Sequence, residues 1–242
     1  MKTRTGVAFA SLLMLSQSVW AVGSIDPNNI PGQTEFDAMA EDLTSALSYK
    51  AVAPAEPLGL LGFDIAAEVT LTEPANIGTW GQAIGDTSLN YIPLPKLHVH
   101  KGLPMNIDVG AVYSTVPGSN ISYFGGELRY SIIGGNVALP AVAVRGTYTK
   151  MSGVDEIGVS TKGLEASVSK GFLMFTPYAG VGKVWGTATP SGTLDLLVNE
   201  SDISQTKLFA GVNVSMLLVN LGVEWDKTGD ANSYSVKLGL GF

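Results

Sequence analysis

Ala231-Asn-Ser-Tyr-Ser-Val-Lys-Leu-Gly-Leu-Gly-Phe242 alternates with a period of two. Tyr234, Val236, Leu238, Leu240 and Phe242 share one parity, and Ser235, Lys237, Gly239 and Gly241 share the other. Successive side chains of an extended chain point to opposite faces, so this stretch reads as a strand with one apolar face and one small or polar face. The same period recurs upstream. Phe63, Ile65, Ala67, Val69 and Leu71 oppose Asp64, Ala66, Glu68 and Thr70; Ile107, Val109, Ala111 and Tyr113 oppose Asn106, Asp108, Gly110 and Ser114; Phe124, Gly126, Leu128, Tyr130 and Ile132 oppose Tyr123, Gly125, Glu127, Arg129 and Ser131. Further strands are predicted over 137–150, 159–171, 174–186, 206–216, 217–225 and 234–242. A weaker one covers 92–101, where Pro93 and Pro95 each remove a ladder donor. The reading is therefore all-β, with about ten strands.

The connections sort by length. Thr72–Tyr91, Pro117–Asn120, Met151–Ile157, Thr187–Gln205 and Asp226–Asn232 are the longer set, and Gly102–Pro104, Gly134–Asn136, Phe172–Leu173 and the Met216/Leu217 junction are tight. Long and short connections that alternate place each set at one end of an antiparallel barrel, as bacterial membrane barrels do. Only 14% of the 242 residues are charged, 45% are apolar, and there is no cysteine. No apolar run after the amino terminus is long enough for a spanning helix. A closed barrel with lipid outside and polar groups inside reconciles these values. A soluble barrel with its apolar face inward shows the same alternation and is the competing reading.

Two further features decide between them. Lys2 and Arg4, the apolar run Val7–Leu15 and Val19-Trp20-Ala21 have the layout of a secretory signal, so residues 1–21 are expected to be removed. Losing Lys2 and Arg4 takes the formal net charge from −7 to −9, which excludes the basic footprint of a nucleic-acid binder. The chain then ends on a strand whose last residue is aromatic. With the signal, Tyr234, Leu240 and Phe242 resemble the closing strand of Gram-negative outer-membrane β-barrel proteins. That resemblance implies residence in outer-membrane lipid, recognition by the barrel-assembly machinery, and amino and carboxyl termini in the periplasm; it names no specific family.

Residues 22–57 precede the barrel, which is assigned to 58–242. They comprise a linker with Pro27 and Pro31 and one helix, roughly Glu35–Lys50. Thr34 and Asp37 have capping-box spacing, and Phe36, Met39, Leu43 and Leu47 make one apolar stripe. The polar face carries Asp37, Glu41 and Asp42, whereas interfacial membrane helices favour lysine and arginine there. The helix is thus expected to plug the periplasmic mouth, stripe against the wall and carboxylates near Arg129 or Arg145. A helix loosely docked in the periplasm is the alternative.

The polar parity sends Asp64, Glu68, Asp108, Glu127, Arg129, Arg145, Glu165, Lys207, Glu224 and Lys237 into one narrow space. They read either as a charged pathway for small solutes or as a paired network that fills the lumen. His98 and His100, the only histidines, share that face with Lys96. Two imidazoles without a third ligand, beside a lysine, make a poor metal site, and polar residues near the periplasmic rim are the better reading. No Gly-x-Ser-x-Gly elbow, phosphate-binding loop or late histidine supports an enzyme, and no cofactor is expected. Trp80, in the first long loop, either meets a ligand or packs that loop. Function narrows to a narrow or gated channel for small solutes, apolar ones included, with a structural or surface-interaction barrel and an outer-membrane hydrolase as alternatives. Oligomeric state stays open.

Overall fold

The computed structural model describes residues 30, 32–84, 90–115, 122–154 and 156–241. The secretory signal, most of the linker and Phe242 lie outside them. Ten antiparallel strands close into a barrel: β1 (Phe63–Glu73), β2 (Ile92–Leu103), β3 (Ile107–Thr115), β4 (Ser122–Gly134), β5 (Ala141–Ser152), β6 (Ile157–Ser169), β7 (Phe175–Pro190), β8 (Ser201–Met216), β9 (Val219–Thr228) and β10 (Ala231–Gly241). Each strand pairs with its chain neighbours, and β1 pairs with β10, so no sheet edge is left open. Helix α1 (Gln33–Leu47) precedes the wall, and α2 (Ile77–Ile84) sits in the β1–β2 connection.

The pairing defines the barrel's dimensions. From Leu103, the register passes through Ile107, Tyr130, Val144, Ala166, Val181, Leu208, Lys227 and Asn232 to Glu73, one residue past the Thr72–Ile92 pair. One circuit therefore returns to residue 91, a stagger of 103 − 91 = 12 residues. With a rise of about 3.3 Å and a strand spacing of about 4.8 Å, this gives a tilt of about 40° and a backbone radius of about 10 Å.

Parity assigns the faces. On β1, Asp64, Ala66, Glu68, Thr70 and Thr72 are buried while Ile65, Ala67 and Val69 are exposed. On β10, Ser233, Ser235 and Lys237 are buried while Tyr234, Val236 and Leu240 are exposed. The exposed face is thus the apolar one around the wall, with Leu97, Leu128, Leu164, Val181, Leu208 and Val223 among its members. The soluble alternative, apolar face inward, is excluded. Pro93 and Pro95 are tolerated because β2 has no β3 partner beyond Leu97 among the described residues.

Several boundaries differ from the sequence reading. β7 and β8 reach Pro190 and Ser201, leaving a shorter connection than Thr187–Gln205. Their added outward residues are hydroxyl-bearing or acidic (Thr187, Thr189, Asp202, Ser204), so no apolar alternation announced them. β9 and β10 are joined by Gly229-Asp230 alone, with Gly229 at φ 60°. The tight connections at the opposite end, called here the turn end, include left-handed Met105, Asn106, Leu173 and Leu217. β5 starts at Ala141, and a bulge between Ser131 and Ile133 puts both Ile132 and Ile133 outside.

Helix α1 corrects the plug expectation in three respects. It starts two residues earlier and stops at Leu47, with Gly32 as its cap and no side-chain capping bond, so the Thr34/Asp37 box does not form. It lies inside the barrel at the end of the longer connections, the loop end, not at the mouth beside the tight turns. Gln33 bonds Asn199 of the β7–β8 connection, and Ser45 bonds Gln205 and the Thr228 carbonyl. Its carboxylates meet neither Arg129 nor Arg145. Asp37 accepts from Ser201 at 2.5 Å, and Asp42 accepts from the Ala75 and Asn76 amides and Trp80 Nε1, capping the start of α2. Gln33 and Gly241 therefore lie at opposite ends of the barrel, so the start of α1 does not share the periplasmic side expected for both termini.

Candidate functional site: a threaded, charged lumen

Phe36, Met39, Leu43 and Leu47 are buried in one cluster with Leu94, Val112, Tyr123, Met151, Ile157 and Val159 of the wall and Trp80, Leu194 and Val198 of the connections. The apolar stripe thus faces the wall, and the loop end of the lumen is packed like a soluble core. Thr44 lies so close over Gly186 that a Cβ there would stand 2.0 Å from its hydroxyl oxygen. Trp80 packs the loop: its ring is buried and its indole N–H reaches Asp42 at 2.9 Å. Burial pushes the Asp42 carboxyl above the usual aspartate value, and the hydrogen bonds from Ala75, Asn76 and Trp80 pull it back.

Past Leu47 the chain runs down the lumen as residues 48–58, held by wall side chains through its own backbone. Thr149 donates to the Leu47 carbonyl at 2.9 Å, Lys207 to Tyr49 at 2.7 Å, Lys237 to Ala51 at 3.0 Å, Arg129 to Pro54 at 2.5 Å and Ser131 to Ala55 at 2.7 Å. Ser169 accepts from the Ala55 amide and Asp108 from the Leu58 amide. A segment without secondary structure is tolerated inside a barrel because the wall replaces its missing ladder partners.

Basic and acidic side chains alternate around this segment. Lys207 pairs with Glu165 at 2.8 Å, Glu165 with Arg145 at 2.9 Å, and Arg145 with Glu127 at 3.0 Å. Glu127 stands 3.6 Å from His100, His100 3.5 Å from Asp64, and Asp64 3.8 Å from Lys237. The ring closes through the plug itself, because Lys237 and Lys207 hold the Ala51 and Tyr49 carbonyls. Gly110 lets it pass β3, where a Cβ would collide with His100 and Glu127. Glu68 binds Lys96 at 2.5 Å and His98 at 2.7 Å, and Asp108 takes two bonds from Arg129. Glu224 is buried in the field of Lys207, Asp226 and Arg145.

Asp64, Glu68, Asp108, Glu127, Arg129, Arg145, Glu165, Glu224 and Lys237 are all buried inside the barrel, as is Lys207. His98 is fully buried against Glu68 and stacked on His100. Tyr49, Lys50 and Asp226 were missed. Lys50 meets Asp226 at 3.4 Å and bonds Ser45 and Ser48, but it reads as the last residue of the helix, and Asp226 lies on a strand end that reads as loop. Below the ring, a cavity of about 310 Å³ opens at the turn end, lined by Pro54, Asp64, His100, Arg129, Asn213 and Lys237 among others.

No protein-family model and no curated protein matches the chain. Solved structures do. The translocator domain of the autotransporter NalP from Neisseria meningitidis is 10% identical with a TM-score of 0.43, covering 84% of this chain and 93% of its own. The amino-terminal β-barrel domain of Pseudomonas aeruginosa OprF is 11% identical with a TM-score of 0.39, over 76% of this chain and 99% of its own. KdgM porin is 9% identical with a TM-score of 0.38, over 74% and 99%. With its apolar outer face and enclosed charges, this chain is a closed antiparallel barrel of ten strands, and the solved structures similar to it include Gram-negative outer-membrane barrels.

Proposed function

We propose that the protein is not an enzyme but a closed outer-membrane channel for small polar solutes, gated by its own residues 33–58. The turn end is assigned to the periplasm, as in bacterial barrels generally, which puts α1 and the longer connections outside the cell. One observation carries the reading: Lys207 and Lys237 complete the charged ring only through the Tyr49 and Ala51 carbonyls. The pathway's charges are thus tied to the backbone that obstructs it, and moving that backbone frees both. With a backbone radius of about 10 Å and side chains inside, the opened lumen is narrow. Its charged wall favours small polar solutes over the apolar ones also considered.

Planar-bilayer recordings test this. The intact protein is expected to be silent. A variant lacking residues 33–58, and a second carrying Phe36→Asp with Leu43→Asp, are expected to show discrete conductance. Tethering α1 by Asp37→Cys with Ser201→Cys, side chains in hydrogen-bond contact, suppresses any opening of the intact protein until a reductant is added. Folded variants, identified by heat-dependent mobility, that pass neither ions nor small sugars would sink the channel. They would instead favour a structural barrel, a reading suggested by the way α1 braces both the β1–β2 and β7–β8 connections.

A further inference from the structure

On the outer wall, three lysines stand apart from every other cation of the barrel. Lys50, Lys96, Arg129, Arg145, Lys207 and Lys237 are enclosed and bonded within the lumen. Lys101 and Lys170 bind backbone carbonyls at the turn end, and Lys227 pairs with Asp230. Lys150, Lys162 and Lys183 are exposed on the lipid-facing parity of β5, β6 and β7, and none has a hydrogen bond or ion pair among the described residues.

Their placement is ordered. Lys150 pairs across to Ser160, two residues from Lys162; Lys162 pairs with Trp185, two residues from Lys183. Diagonal neighbours on one sheet face lie about 8 Å apart between Cα atoms. Pairing rows climb toward the loop end by the twelve-residue stagger spread over ten strands, and each lysine steps back by two. The three therefore stay within roughly 4 Å of one height while tracking round the wall. Tyr148 and Trp185, the outward aromatics paired with Lys162, mark that height as the membrane interface at the loop end. Toward the turn end the same face is apolar: Leu164, Ala166 and Val168 on β6, Phe175, Ala179 and Val181 on β7.

We propose that Lys150, Lys162 and Lys183 form a docking row for the phosphates of an outer-leaflet glycolipid, the lipid A portion of lipopolysaccharide. An unpaired ammonium on a lipid-facing wall is tolerated where its stem lies along apolar neighbours and its head reaches the headgroup layer. Three such groups at one level present a line of positive charge to that layer, and phosphate is the anion found there. The nearest outward carboxylate on β8, Asp202, is held by Thr187 and stands four residues from Thr206, the partner of Lys183, so it does not neutralise the row. The choice of glycolipid rests on the orientation assigned above; the phosphate chemistry does not.

Native mass spectrometry of the full protein released from detergent, incubated with purified bisphosphorylated lipid A, tests the proposal. Wild type is expected to retain the lipid. The Lys150→Gln, Lys162→Gln, Lys183→Gln variant is expected to lose at least tenfold in apparent affinity, each single variant less, and Lys227→Gln nothing. Lipid A stripped of its phosphates should not bind, and phosphatidylglycerol should bind far more weakly than lipid A. Heat-dependent mobility shows that each variant is folded. Retention of lipid A by the folded triple variant, or equal lysine-dependent binding of phosphatidylglycerol, overturns the proposal. Labelling of a Gly192→Cys variant on intact cells with an impermeant maleimide reports the orientation separately, and none of these measurements depends on conductance.

Discussion

Lys207→Met is the sharpest probe of the threaded lumen. The ammonium donates to Glu165 and to the Tyr49 carbonyl and lies 5.3 Å over the Phe209 ring, with the side chain almost wholly buried. Methionine fills similar space but supplies no donor. The Tyr49 carbonyl then loses its partner inside the barrel, a penalty of about 1–3 kcal/mol. Glu165 keeps Arg145 but carries half its compensation; breaking a buried pair costs about 3–5 kcal/mol. The contributions overlap, so the expected loss is about 3–5 kcal/mol in total. Adding Glu165→Gln removes the stranded charge and should recover about 1–3 kcal/mol of it. Guanidinium unfolding in detergent micelles, followed by tryptophan emission, measures both variants. A single variant within ~0.5 kcal/mol of wild type, or a double variant no better than the single, would refute the view that this lysine joins plug to wall.

The outer face is tested by arginine placement. Ala166→Arg, near the middle of the belt, is expected to cost about 2–4 kcal/mol in lipid vesicles, and Ser160→Arg, near the loop end of the same strand, at most about 1 kcal/mol; equal costs would contradict the assigned interface. Asp42→Ala deprives the Ala75, Asn76 and Trp80 donors of their acceptor and should cost about 1–3 kcal/mol, with a red-shifted Trp80 emission and faster proteolysis of the β1–β2 connection; unchanged emission would argue against the cap. Gly186→Ala pushes against Thr44 and should weaken α1 docking by about 1–3 kcal/mol, seen as brief conductance events absent from wild type; a quiet bilayer would show that the helix absorbs the extra methyl.

The wall was legible because its signal is simple. One face meets lipid and the other an enclosed polar space, so Ile65, Val69 and Leu240 alternate with Asp64, Glu68 and Gly239 for a direct physical reason. The signal fades where that contrast ends: at the loop-side halves of β7 and β8, outward residues meet water instead of lipid and turn polar. Phe36, Met39, Leu43 and Leu47 revealed a helix with a wall-facing stripe. They could not reveal which end of the barrel it occupies, because apolar residues line the lumen toward both ends, Val112, Tyr123 and Val159 near the loops and Ala141, Ala143 and Tyr178 near the turns. The segment after Leu47 was opaque for a deeper reason. Its grip on the wall runs through carbonyls, which every residue carries, so Ala51, Pro54 and Ala55 leave no pattern to read.

A strand of polypeptide lying inside a finished cylinder poses a question of order. Drawing residues 33–58 through a completed wall would drag Lys50 and a folded helix past the ring of charges that later grips them. Folding the sheet around the segment avoids that passage, and the β1–β10 seam, which joins the first strand to the last, is then the last join to form. The amino-terminal segment would in that case act during assembly as the mandrel on which the cylinder is rolled, fixing which polar groups face inward before there is an inside at all.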